Sequence, residues 1–217
     1  MKVTSERRYA LFQAARDSDY VKKVHGGYFN VFVKAFAEEG ETWDLFRVVE
    51  GEFPDMNELH KYDGFSLEFA SVIRFCAERW VGKVGKSYSG WDIGIRRVRI
   101  VKDVSACRFP GELTEIPSSL SIIECHQDEV WEVPSGAEVI AFSDKTGVEM
   151  FAIGDHILGI QGHPEYTKDI LHSLIDRLLN DNSIESAFAE NAKVRLEIAE
   201  PDRKSWEKIC RNFLKGR

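Results

Sequence analysis

Apolar and polar positions divide the chain into a β/α start, a strand-rich middle and a helical end. Tyr9-Ala10-Leu11-Phe12-Gln13-Ala14-Ala15 is a short apolar run that predicts a buried strand, and a polar loop through Asp17, Ser18 and Asp19 follows it. Tyr28, Val31, Phe32, Ala35 and Phe36 then recur at helical spacing, with Gly40 as the stop before a second strand over Trp43 to Val49. Tyr62-Asp63-Gly64-Phe65 opens a third strand of the same parallel sheet, and the crossover rule then asks for a helix on the way to a fourth.

Beyond Ser89 the pattern turns strand-rich: Ile95 to Val101, Ser121 to Cys125, Ala137 to Phe142, Val148 to Ile153 and Ile157 to Gln161. Turns such as Ser135-Gly136 and Lys145-Thr146-Gly147 separate them, and two of these strands are expected to pair antiparallel. From Lys168 onward Ile170, Leu171, Leu174, Ile175, Leu178 and Leu179 trace one apolar stripe. Two further helical segments follow, the second from Asp202 with Trp206, Ile209 and Phe213; these read as packing elements, with an interface as the alternative. The sum is an α/β fold, a mainly parallel sheet flanked by helices, with an antiparallel extension and a helical C-terminal tail. The body is placed at residues 1–180 and the helical extension at residues 181–217.

Composition narrows the function classes. The 29 basic residues against 36 acidic ones leave a net charge of −7, and the charges are interspersed, so no basic stripe favours nucleic acid or an anionic membrane. No apolar run approaches a membrane span, and Met1 to Arg8 has no apolar segment behind its charges. Cys76, Cys107, Cys125 and Cys210 are scattered without a CxxC pair, which fits reduced thiols in the cytosol and neither a disulfide framework nor a zinc cluster. His25, His60, His156 and His172 share no ligand spacing, so no metal and no cofactor are expected, and oligomeric state is left open.

The chemistry concentrates at Gly162-His163-Pro164-Glu165, in a loop between the strand ending at Gln161 and the helix from Lys168. A His held by a carboxylate can act as a general base, and such a pair is idle without a nucleophile to deprotonate. On spacing alone, a surface turn in which His163 and Glu165 merely flank Pro164 is the preferred reading, and the dyad the alternative.

Taken with Cys125-His126-Gln127-Asp128-Glu129-Val130, the motif resembles the class I glutamine amidotransferase domain. Within that superfamily Arg8-Tyr9-Ala10-Leu11-Phe12, Gly90-Trp91-Asp92-Ile93-Gly94, Pro201-Asp202-Arg203 and the closing Asn212-Phe213-Leu214-Lys215-Gly216-Arg217 resemble the plant γ-glutamyl peptidases. The resemblance covers residues 1–65 and 83–217. It implies a flavodoxin-like fold and a cytosolic hydrolase that cleaves γ-glutamyl small molecules such as glutathione and its conjugates, including intermediates of glucosinolate and camalexin synthesis. It also raises His163 to general base and Glu165 to the group that orients it. His126 would lie on the substrate side, or be a His hydrogen-bonded to Asp128 at a strand end. Trp91 and Asp92 would shape the substrate pocket, or Trp91 would belong to the core.

The family pattern fails between the third strand and Gly82. It calls for a glycine-rich oxyanion loop, a helix and a nucleophile elbow of the form Gly-Ile-Cys-Phe-Gly-His-Gln, whereas Phe65 runs into Ser66-Leu67-Glu68-Phe69-Ala70-Ser71-Val72-Ile73-Arg74-Phe75-Cys76-Ala77-Glu78-Arg79-Trp80-Val81. Segment 66–82 is therefore aberrant, with one crossover helix lost. Glu68 to Val81 can be encoded so that the same bases, read two positions on, give Ile-Cys-Phe-Gly-His-Gln-Val-Leu-Cys-Arg-Ala-Leu-Gly-Gly, the elbow and the start of its helix. The middle base of each shifted codon is fixed by the first base of the next, so the match is not a free choice of synonyms. The segment is read as the elbow exon out of frame, and transcript codons unable to yield the elbow in any frame would refute this. Cys76, at helical spacing with Val72, Ile73, Ala77 and Trp80 and without a flanking glycine, is read as a buried thiol. Three readings follow: a γ-glutamyl peptidase whose active form is longer, a catalytically dead relative acting by binding, or a frameshifted product without a role. No hydrolysis by this chain is expected.

Overall fold

The computed structural model describes residues 7–67, 82–101, 116–155 and 157–216. The apolar run at the start forms β1 (Arg7–Gln13), which pairs parallel with β2 (Glu41–Arg47) on one side and β3 (Gly64–Leu67) on the other, in the order β2-β1-β3. This is the expected parallel sheet. The crossover segment expected after β3, with Cys76, lies outside the described residues, as does Cys107.

Between β1 and β2 the chain makes two helices where the hydrophobic pattern predicts one. α1 (Asp19–His25) carries a single buried residue, Val21, too little periodicity to announce a helix. Its ends carry the signal instead: the Ser18 hydroxyl accepts the Val21 N–H, and Gly26 closes it in the left-handed region at φ 75°. α2 (Tyr28–Phe36) buries the predicted stripe Tyr28, Val31, Phe32, Ala35 and Phe36; it stops at Phe36, short of Gly40.

Among the described residues every strand pairing in the middle of the chain is antiparallel, beyond the two strands expected to pair so. β4 (Lys83–Lys86) pairs with β7 (Asp128–Glu132). β5 (Asp92–Ile100), β6 (Ser119–His126), β8 (Glu138–Phe142), β9 (Met150–Ile153) and β10 (Ile157–Ile160) form one sheet in the order β10-β9-β8-β5-β6. Short links such as the one from β9 to β10 can close a hairpin, whereas parallel neighbours need a crossover of a dozen residues or more. The strands β4 and β7 are additions to the expected set.

Three helices complete the described chain: α3 (Lys168–Asn180), α4 (Ser186–Ile198) and α5 (Arg203–Leu214). They sandwich the antiparallel sheet. Ile93 of β5 and Ile123 of β6 meet Ile170, Leu171, Leu174 and Ile175 of α3 and Ala189, Ala192 and Leu196 of α4. Val98, Leu120 and Ile122 point the other way and meet Trp206 and Ile209 of α5. Period two along β6 assigns these faces: Leu120 and Ile122 one side, Ile123 the other. That alternation also decides where the chemistry sits.

Candidate active site

The loop after β10 is held by its backbone before any side chain is considered. Gln161 N–H donates to Glu149 O at 2.8 Å, His163 N–H to Ile123 O at 2.8 Å, and Tyr166 N–H to His163 O at 3.2 Å. The last bond closes a turn with Pro164 at its second position, where the fixed φ of proline suits it. His163 and Glu165 are only 4% and 7% exposed, so the surface-turn reading fails. His163 Nδ1 lies 2.9 Å from Glu165 Oε1, and the imidazole stacks on the Tyr166 ring at a centroid distance of 4.0 Å and an interplanar angle of 2°. Tyr166 stacks in turn on Tyr28 of α2. The carboxylate fixes the tautomer with Nδ1 protonated and leaves Nε2 as the basic nitrogen.

His126 lies at the end of β6, beside the loop. Its Nδ1 is 3.0 Å from the Asp128 carbonyl oxygen and its Nε2 is 3.3 Å from Glu124 Oε2. Of the two sequence readings the geometry has the hydrogen bond near the strand end, made to the backbone carbonyl of Asp128 and not to its carboxylate. Trp91 packs against the cluster that holds Ile93 and Tyr166, and its Nε1–H donates to Ser183 O at 3.1 Å. Asp92, expected beside a pocket, is buried and receives Arg96 Nε at 2.6 Å, with Lys145 Nζ at 3.8 Å.

Glu124 and Glu149 are two buried acids that sequence spacing did not disclose. Glu124 continues the face of Leu120 and Ile122 along β6, opposite Gly94 of β5. Glu149 reaches the same place from the residue before β9. Burial, with Asp92 nearby, pushes the Glu124 carboxyl well above the carboxylate range; burial and Glu124 push Glu149 up to about 8. Burial draws the His126 imidazole down. A buried acid on the sheet face shared with His126 is the signal that could have found Glu124; nothing local marks Glu149. Gly162 packs close against the same acid: a Cβ there would lie 2.5 Å from Glu124 Oε1, so the buried side chain would have to shift.

Neither described cysteine is an activated nucleophile. Burial pushes the Cys125 thiol up to about 12, and Cys210 is raised for the same reason. A thiolate needs the opposite shift. The arrangement can thus accept and hold a proton at His163, while the described residues supply no thiolate to give one.

No family model matches the chain. γ-Glutamyl peptidase 5 of Arabidopsis thaliana is 46% identical over 249 residues, spanning 99% of this chain and 98% of that protein. γ-Glutamyl peptidase 3 of the same plant is 45% identical over 246 residues, spanning 99% of each. The 249 aligned positions exceed the 217 residues of this chain by 32, so the relative carries residues that have no counterpart here. Among solved structures, a glutamine amidotransferase from Thermotoga maritima superposes with a TM-score of 0.65 at 18% identity, covering 97% of both chains. A second, from Methylobacillus flagellatus, gives 0.63 at 16% identity over 97% of this chain and 95% of that one. The fold is therefore the α/β fold of the class I glutamine amidotransferases.

Proposed function

Because the chain belongs to the γ-glutamyl peptidase family, we propose that it carries the base half of a cysteine-dependent γ-glutamyl hydrolase site, and that as a 217-residue chain it lacks the nucleophile and is inactive. The substrates are γ-glutamyl small molecules, glutathione and its conjugates first among them, met in the cytosol. The observation that carries the reading is the buried His163–Glu165 pair at 2.9 Å.

In the complete site a cysteine thiolate attacks the γ-glutamyl carbonyl after His163 Nε2 has taken its proton. Backbone N–H groups hold the oxyanion, and His163 returns the proton to the leaving amine. Water, activated by the same nitrogen, then cleaves the γ-glutamyl thioester and releases glutamate. Glu165 keeps Nδ1 protonated throughout and stabilises the imidazolium. In support of a missing nucleophile, the aligned relative is longer within the matched span, and the elbow string is readable out of frame under Phe69 and Ala70.

The test compares this chain with one carrying the in-frame elbow and the loop and helix before it. The extended chain should release glutamate from glutathione, and lose at least about a thousandfold in rate on His163→Ala, since triad members act as a unit. The chain as it stands should show no turnover. Turnover by it that disappears on Cys76→Ala would refute the reading.

A further inference from the structure

Glu124, His126 and Glu149 converge from two separated stretches of the chain on one buried point. Their exposures are 0%, 8% and 2%, and one ligand-type atom from each lies within 4.8 Å of the others. The two carboxylates have no Lys or Arg within salt-bridge distance among the described residues; Arg96 pairs with Asp92, and Lys145 donates to Trp91 O with Asp92 at 3.8 Å. All four of their oxygens are without a hydrogen-bond partner.

His126 is an independent pointer to a missing cation. A carbonyl oxygen can only accept, so the contact with Asp128 O puts a proton on Nδ1, and in the neutral imidazole that burial favours this leaves a lone pair on Nε2. That lone pair faces Glu124 Oε2 at 3.3 Å, and Nε2 is itself unpartnered while the residue is more than nine-tenths buried. Two acceptors aimed at each other in a buried site need a proton or a metal ion between them. A ligating imidazole usually donates its other N–H to a backbone carbonyl or carboxylate, which is the arrangement here.

We propose that Glu124, His126 and Glu149 bind one divalent first-row transition ion of the zinc class. One imidazole and two carboxylates are a donor set that such ions accept, and ligand atoms about 2.1 Å from a tetrahedral ion stand about 3.4 Å apart, within reach of these side chains by small rotations. The ion would tie β6 to the start of β9 directly behind Gly162, whose Cβ position is 2.5 Å from Glu124 Oε1, and so brace the loop that carries His163. This departs from the absence of metal expected from His spacing, because the third ligand is remote in sequence. It is independent of the hydrolytic reading.

The purified full chain, stripped with chelator, is dialysed against Zn(II) and separately against Co(II). One Zn(II) per chain is expected, together with visible cobalt absorption and a melting temperature raised by about 5–11 °C at a hundredfold excess over Kd. Glu149→Gln should weaken uptake by about a hundredfold or more, and Glu124→Gln likewise. Should Glu124→Gln fail to fold, Glu149→Gln carries the comparison. No stoichiometric uptake by the wild-type chain, or uptake that survives Glu149→Gln, overturns the proposal and leaves a shared proton as what separates the acceptors.

Discussion

Trp206→Ala is expected to destabilise the whole chain, and not only its last helix. Trp206 is fully buried between α5 and the sheet, among Val98, Leu120, Ile122, Ile140 and Met150. Its Nε1–H donates to Ser121 O at 3.1 Å; Asp202 N–H donates to the same oxygen at 2.8 Å, and Ser121 N–H returns a bond to Asp202 Oδ2 at 2.7 Å. Truncation to Ala removes the indole and leaves a cavity, a change that costs about 3–5 kcal/mol. For a chain of this size each kcal/mol moves the melting temperature by about 2–4 °C, so a drop of roughly 6–20 °C is expected. Trp206→Phe separates packing from hydrogen bonding. It keeps most of the aromatic area, and Ser121 O stays satisfied by Asp202, so the cost should be near 1–2 kcal/mol, about 2–8 °C. Calorimetry with a parallel circular-dichroism melt reads both. An early transition of the C-terminal helices with the remainder unmoved, or a Trp206→Ala shift under about 2 °C, would refute the claim that α5 shares the core of the sheet.

Gly162→Ala would set a methyl 2.5 Å from Glu124 Oε1 and 2.9 Å from Ile122 Cδ1; with the acid fully buried, about 1–3 kcal/mol should be lost, seen as a lower urea midpoint, and an unchanged midpoint would contradict the packing. The Lys215 ammonium is buried against Glu41 and 3.4 Å from Glu38, above the Tyr9 ring, so Lys215→Met should cost about 3–5 kcal/mol by stranding Glu41, and adding Glu41→Gln should recover part of it; a mild single variant would count against burial of the pair. Burial pushes the Asp169 carboxyl up, but hydrogen bonds that include His25 at 2.8 Å and Tyr20 at 2.9 Å outweigh it and hold the group at about 2. A depressed folded pKa contributes stability above about pH 4 that is lost as the pH falls toward 2, here about 1 kcal/mol or less because the side chain is 45% exposed and screened. The gap in urea midpoint between the wild type and Asp169→Asn should therefore narrow from pH 5 to pH 3, and a constant gap would argue against the pairing.

Much of this architecture is local and could be read in advance. Period two in β6 and the stripe of α3 encode both the element and the face it buries, since a side chain's direction follows from its own backbone. The dyad is local in sequence, but spacing alone favoured a surface turn; the family resemblance raised the pair, and burial of both side chains excludes the turn. α1 escaped because its signal lies in Ser18 and Gly26 at its ends, with one buried residue between them.

Partners distant in sequence are another matter. Lys215 meets Glu41 across 174 positions, Trp206 meets Ser121 across 85, and Glu149 joins Glu124 and His126 where the loop after β10 bonds both to Glu149 O and to Ile123 O. Periodicity says that Glu124 faces inward; it cannot say what lies opposite. By itself the sequence determined most of the strands and helices and their buried faces, and it placed His163 and Glu165 in one loop without saying that they pair. Tertiary structure alone decided that five of the seven described middle strands form one antiparallel sheet and that three acceptors converge beneath the dyad loop, because register and crossing depend on contacts between segments that carry no mark of one another.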